Sequence, residues 1–279
     1  MKSIKFLIIS LVMAVGIFLG CDSDAITGSG DLVTIQKDYQ GFTEIDLAYT
    51  ISANIIRSDT FSVMITFDNN IEEYLNVKKV DDTLEIYLDD GHHYKNITVE
   101  AEISMPHLDD LELSGASRAH ISGFVSDSDL DIDISGASKV DGDIAAGSMD
   151  IKLSGASRLS LDGNGNETVI KATGASHVNM DDFTVHGDVD IDLSGASNLS
   201  LQGNGENLKV RAMGASDADL GGFQAVNADV HLSGASEGTI SLTGKLDADI
   251  SGASKLRYYG NPIMGGIQTS GASSIKAVD

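Results

Sequence analysis

The chain has 279 residues with 18 Lys and Arg against 42 Asp and Glu, a formal net charge of -24, and that balance excludes a nucleic-acid binder, which needs a basic footprint. A hydrophobic fraction of 42% excludes bulk disorder. A single cysteine excludes a disulfide framework or a cysteine-rich metal site within the chain.

At the start, Lys2 and Lys5 precede an apolar run from Phe6 to Leu19, followed by Gly20 and Cys21. This is the pattern of a secretory signal peptide over residues 1–21, and the run is short for a spanning helix. Phe18-Leu19-Gly20-Cys21 resembles the bacterial lipobox, in which the cysteine becomes lipidated and N-terminal after cleavage. Cys21 is therefore the candidate lipidation site and the expected link to the membrane. Residues 22–30 are small and polar, with no apolar period, and read as a flexible tether.

Residues 31–106 keep strand alternation in Val63-Ile65-Phe67, Leu84-Ile86-Leu88 and Ile97-Val99-Ala101-Ile103. They form an irregular β segment that caps or starts the solenoid of residues 107–279. One short helix is expected from Asn70, with Asn70 as N-cap and Glu73 in the capping-box position. Such a helix would cover strand edges at the open end.

From residue 107 to 279 the tripeptide Gly-Ala-Ser recurs, its glycine at 115, 136, 155, 174, 195, 214, 234, 252 and 271. A period near twenty without helical spacing predicts a parallel β-helix, a β-solenoid of short strands. Four places before the glycine stand Leu111, Ile132, Ile151, Ile170, Ile191, Val210, Val230, Ala248 and Ile267, and the next residue but one is again apolar in most coils. The position between is polar throughout, the signature of a strand with one buried face. Each coil then reads as strand, Gly-Ala corner, strand, turn. The corner needs glycine for a positive φ or a close backbone approach. Its alanine is expected to point inward, and its serine to bond either the same serine one coil away or a free backbone group at the bend. Phe124, Phe183 and Phe223 each lie nine places after their glycine, as plugs for a third corner. A longer repeat, Leu153–Ser176 against Leu193–Ser216, suggests a unit of two coils.

A lipoprotein signal, an irregular β segment and Ser-Gly-Ala-Ser motifs at about twenty residues resemble the DUF2807 family, described as putative autotransporter adhesin, head GIN domain. The resemblance spans about Asp31 to Asp279 and implies an all-β, β-helical protein of the bacterial cell envelope with an adhesive role. No translocator-barrel pattern comes after the repeats, which argues against a complete autotransporter. With Cys21 lipidated, the expected location is the outer membrane, on its periplasmic face or at the cell surface.

Chemistry is sparse. Nine recurring serines without a companion histidine mean architecture rather than one activated nucleophile. His92-His93 sits in a charged turn, and no HExxH or comparable spacing exists. No catalytic residue, metal ligand or cofactor is assigned. Asp110, Asp131, Asp150, Asp190, Asp229 and Asp247 share the position five places before the glycine. Stacked, they are either a solvated acidic stripe or a weak calcium ladder. The reading is a non-catalytic binding, adhesion or structural module with a glycan or protein ligand on its surface. The alternatives are a carbohydrate-active β-helix enzyme, a polysaccharide lyase or hydrolase, and an envelope scaffold or sensor partner.

Overall fold

The computed structural model describes residues 25–278, so Cys21 and the rest of the signal segment lie outside the described residues. Two sheets, of 12 and 13 strands, face each other across one continuous core that runs from Phe42 to Leu256. Each coil gives one strand to each sheet. In one coil Met149–Leu153 enters the first sheet, Gly155 turns the chain, and Arg158–Gly165 enters the second. Pairing between coils is parallel and in register: Ile151 lies between Ile132 and Ile170, and Leu159 between Val140 and Val178. This is a β-solenoid with about twenty residues per coil, as the repeat spacing implies.

The stacking takes in strands ahead of the first Gly-Ala-Ser. Glu44–Leu47 pairs with Asp110–Leu113, and Ser52–Arg57 pairs with Arg118–Val125. Beyond them the chain folds back in antiparallel strands: Leu75–Val80 on Thr83–Leu88 in the first sheet, and Leu32–Lys37 on Ser62–Asp68 in the second. The expected helix is absent. Asn69–Ile71 is a single 3-10 turn whose N-cap, Asp68, makes no side-chain cap bond. Asn70 is engaged elsewhere: its amide donates to the Thr27 carbonyl at 2.8 Å and its oxygen accepts from the Ser29 N–H at 3.0 Å. A local capping signal lost to long-range partners, and strands rather than a helix cover this end.

The corner explains the tripeptide. All nine glycines have φ between 70° and 83°, a region that costs other residues about 1–2 kcal/mol. A second constraint is steric. A Cβ on Gly155 would lie 2.4 Å from the carbonyl oxygen of Gly136 in the coil behind, and the other corners repeat this contact. The side-chain assignment at the corner is reversed from expectation. Ser117, Ser138, Ser157, Ser176, Ser197, Ser216, Ser236 and Ser254 are buried, while their alanine neighbours are exposed or half-exposed. Most of the buried hydroxyls donate to the carbonyl three residues back, as in Ser157 to Ser154 at 2.7 Å and Ser197 to Ser194 at 2.9 Å. The serine thus closes the bend on itself and satisfies a carbonyl that the turn leaves unpaired.

The aromatic column accounts for the two-coil repeat. Register places Phe124, Ile144, Gly163, Phe183, Gly203 and Phe223 one above another. Bulges ahead of this column, such as that between Met180 and Phe183, add a residue to the strand. That shift turns an odd-numbered position inward. Phe183 and Phe223 are fully buried. A Cβ on Gly205 would sit 2.7 Å from the ring of Phe223. A phenyl ring is too large for one coil's share of the stack, so glycine in the adjoining coil leaves room for it.

Candidate functional site

The outward face of the first sheet gathers the charge. Glu44, Asp110, Asp131 and Asp150 succeed one another without interruption in one column. Glu85, Asp46, Glu112 and Asp133 do so in the next column but one along the strand. Strand spacing of about 4.8 Å keeps these carboxylates within reach of one another. Asp46 is pushed up to about 6 by burial first, then by Glu112 and Glu85, with Lys78 opposing. Asp110 is pushed up to about 6 by burial, then by Glu44, Asp131, Glu112 and Asp133.

Toward the C-terminal half the same face becomes mixed. Val169 and Lys209 interrupt the aspartate column. Lys152 reaches Asp150 at 3.2 Å, Arg211 reaches Asp190 at 3.3 Å, and Lys245 reaches Asp247 at 2.7 Å. The six recurring aspartates are therefore a run of three, an isolated Asp190 and a pair, Asp229 and Asp247, rather than one stripe. A groove of about 400 Å³ borders this region, lined by Asp188, Asn207, Asn227 and Lys245 among others. Its wall is a ladder of amides: Asn207 donates to Asp188 at 2.8 Å, and Asn227 donates to Asn207 at 3.1 Å.

A second groove, of about 420 Å³, opens at the N-terminal end of the acidic run, between Asp46, Tyr49, Glu85, Tyr87, Asp90 and Ser114. Tyr49 has φ 78°, one of three non-glycine residues with positive φ among the described residues. Its hydroxyl donates to Asp90, and that bond pushes the phenol up to about 12. Tyr49 and Tyr94 meet edge to face at 6.1 Å, Tyr94 and Tyr74 at 6.2 Å, and His92 packs on Tyr74 at 4.9 Å. Lys78 lies 5.2 Å from the centre of the Tyr87 ring. Sequence reading passed over these tyrosines, although five of the chain's seven fall within residues 31–106. That concentration was the available signal.

The remaining polar groups do not converge. The corner serines are buried. His120 pairs with Asp141 at 2.8 Å, and His231 with Asp229 at 3.4 Å, on different coils and sheets. Among the described residues no group of three or more His, Cys, Asp or Glu is placed to hold a metal ion, and no helix is long and apolar enough to cross a membrane.

A parallel β-solenoid with repeated like groups on its outer face and a packed interior defines an elongated repeat module. The chain belongs to the DUF2807 family, described as "Putative auto-transporter adhesin, head GIN domain", which matches over residues 41–187 and 185–262. Solved structures share the fold. A putative adhesin from Parabacteroides merdae is similar with a TM-score of 0.73 and 19% identity over 92% of this chain and 100% of the other. A putative lipid binding protein from Parabacteroides distasonis gives 0.67 and 20% over 91% and 100%. A putative adhesin from Bacteroides fragilis gives 0.60 and 18% over 91% and 100%. At these identities the likeness is one of fold. No curated protein matches the chain. The family and these neighbours carry adhesin and binding names rather than enzyme names.

Proposed function

We propose that the protein is a lipid-anchored lipoprotein of the outer membrane whose solenoid is a non-catalytic adhesion module, engaging an extended glycan or protein ligand along the outward face of the first sheet. The observation that carries this reading is the repetition of like groups from coil to coil where an enzyme needs unlike groups gathered at one point. A ladder of carboxylates and amides spaced about 4.8 Å apart suits a ligand with a repeat of its own. At the head of that ladder the Tyr49 and Tyr87 side chains sit beside Asp46, Glu85 and Asp90. Apolar ring faces next to acceptors suit a hydroxyl-bearing ring, and the acidity disfavours an acidic polymer. Cys21 supplies the anchor, because two acyl signals hold a protein where one is marginal.

The binding test is an array of neutral, amino and acidic glycans and matrix proteins, probed with the protein and with Tyr49→Gly. Binding by the first that the second loses is the expected result. Binding to nothing on the array, or release of cleaved glycan from it, overturns the reading. For the anchor, Cys21→Ala should leave the membrane fraction, and an unchanged fractionation or a wild type that takes up no labelled palmitate rejects lipidation.

A further inference from the structure

The chain enters the solenoid at one end and is fastened as it enters. The Ile26 N–H donates to the His93 carbonyl at 2.7 Å, the Gly28 N–H to the Lys95 carbonyl at 3.0 Å, and the Asn69 N–H to the Asp31 carbonyl at 2.9 Å. The Asp68 carboxylate, 1% exposed, accepts from the Gly30 N–H at 2.6 Å and from the Thr98 N–H at 2.7 Å. Only residues 22–25 therefore lie between Cys21 and the fastened chain. Fully extended, the stretch from Cys21 to Ile26 reaches about 17 Å.

The core is open at this same end. The edge strands there are Leu32–Lys37 and Leu75–Val80. Register turns Val33, Ile35 and Lys37 toward the interior, opposite buried Phe67, Ile65 and Val63. On the other sheet Leu75, Val77 and Lys79 lie opposite buried Leu88, Ile86 and Leu84. Each edge thus closes its core column with two apolar side chains and a lysine. All six keep solvent contact, because among the described residues no further strand pairs with either edge. Tyr39 packs on the core beside them, its hydroxyl donating to the Val77 carbonyl at 3.0 Å. Around this rim Leu32 is 51% and Val80 42% exposed.

That composition selects the occupant. A strand of another copy would have to lay its core against Lys37 and Lys79, and an inward-pointing charge on an edge strand opposes such joining. The headgroup boundary of a bilayer has no such conflict. Apolar side chains enter it, while the stem of a lysine lies along them and its ammonium reaches the phosphates. The flank of the rod is a poorer fit. The outward face of the first sheet carries the uninterrupted run from Glu44 to Asp150, which an anionic headgroup layer repels.

We propose that the N-terminal end of the solenoid is a membrane-contacting surface on which the rod stands end-on. Val33, Ile35, Leu75 and Val77 meet the headgroup boundary, and Lys37 and Lys79 meet lipid phosphates. The proposal rests on the lipid anchor at Cys21 proposed above. A long tether would leave the rod free to tumble, whereas this short one brings the open end of the core down onto the bilayer. The ligand-binding flank then stands upright, and the last Gly-Ala-Ser corner lies about 40 Å beyond the first, at about 4.8 Å per coil.

The test uses the full chain in vesicles of phosphatidylethanolamine and phosphatidylglycerol, with a nitroxide quencher on part of the lipid near the headgroup. The same fluorophore is placed on Leu32→Cys at the proposed surface and on Ser274→Cys, an exposed position in the last coil. Val80→Cys replaces Leu32→Cys if that variant fails to fold. Quenching should be severalfold greater at Leu32 than at Ser274, and Lys37→Glu combined with Lys79→Glu should reduce it. Equal quenching at the two positions means a rod lying flat or tumbling and overturns the proposal. So does self-quenching between Leu32 labels that is indifferent to the nitroxide lipid, which means that a second copy covers this end. Labelled palmitate on the same preparation decides the anchor separately. Palmitate uptake with equal quenching removes the surface and keeps the anchor, whereas quenching at Leu32 without palmitate keeps the surface and removes the anchor. Neither signal overturns both.

Discussion

Tyr49 occupies the corner directly behind Gly115, with φ 78° against 74°, and its carbonyl accepts the Ala116 N–H in the same way that each corner carbonyl accepts from the next coil. The two residues differ in what lies behind them. A Cβ at Gly115 would meet the Tyr49 backbone at 2.5 Å. Tyr49 begins the stack of corners, so its own side chain rises toward Asp90 and Tyr94 instead.

Substitution at Tyr49 and at a later corner of the same column, Gly155, should therefore have unequal costs. Tyr49→Gly relieves about 1 kcal/mol of left-handed backbone and loses a similar amount of ring packing, so its denaturation midpoint should stay near that of the wild type. Gly155→Ala adds both the φ penalty and a collision with the carbonyl of Gly136, and should cost about 2–4 kcal/mol. Urea titrations compare them, and equal losses contradict the assignment of one corner column.

The buried serines differ in one measurable respect. Ser157 donates to Ser154 at 2.7 Å, whereas the Ser138 hydroxyl is buried with no partner. Removing a satisfied hydroxyl should cost about 1 kcal/mol, and removing an unsatisfied one should cost nothing or stabilise. Ser157→Ala should thus melt lower than the wild type, and Ser138→Ala at or above it. The reverse order rules out the back-bond to the preceding carbonyl as the reason for serine.

The two faces of one strand provide a sharper contrast. Ile191 is fully buried, and Ile191→Asp should destabilise by several kcal/mol, because an unpaired carboxylate loses its hydration there. Asp192 faces outward on the same strand, and Asp192→Asn should change stability by less than about 1 kcal/mol. Similar shifts for both variants would remove the distinction between interior and exterior.

Much of this was legible because the solenoid repeats its rules. Alternation around Gly155 placed Ile151, Leu153 and Leu159 inside, and all are buried. The same parity, carried through the glycine, puts Ser157 inside and Ala156 outside. Counting by two would have found it; composition suggested the small apolar residue instead. The helix expected at Asn70 failed for another reason, since its amide serves strands more than forty residues away. Tyr49 was hidden because nothing in the local sequence marks it as a corner. Only the pairing of Glu44–Leu47 with Asp110–Leu113 aligns it with Gly115.

The acidic run should leave its mark on the pH dependence of stability. Asp46 and Asp110 rise from 3.8 to about 6 in the folded protein, chiefly through burial and then through neighbouring carboxylates. Each therefore holds its proton more tightly folded than unfolded. Where the native state binds more protons, stability falls as pH rises, so these two groups cost nothing below about pH 4 and their full penalty above about pH 6. After discount for partial solvent contact, that penalty is about 1–2 kcal/mol for each. Asp110→Asn keeps the shape and removes the charge. It should raise the midpoint at pH 7.5, leave it almost unchanged at pH 4, and flatten the curve between; Asp46→Asn should do the same. A set of urea titrations from pH 4 to 8 makes the comparison. Loss of stability in Asp110→Asn at pH 7.5 would mean that this carboxylate is held by a favourable partner, such as a bound cation, and that the ladder is a binding site for positive charge rather than a repulsive stack.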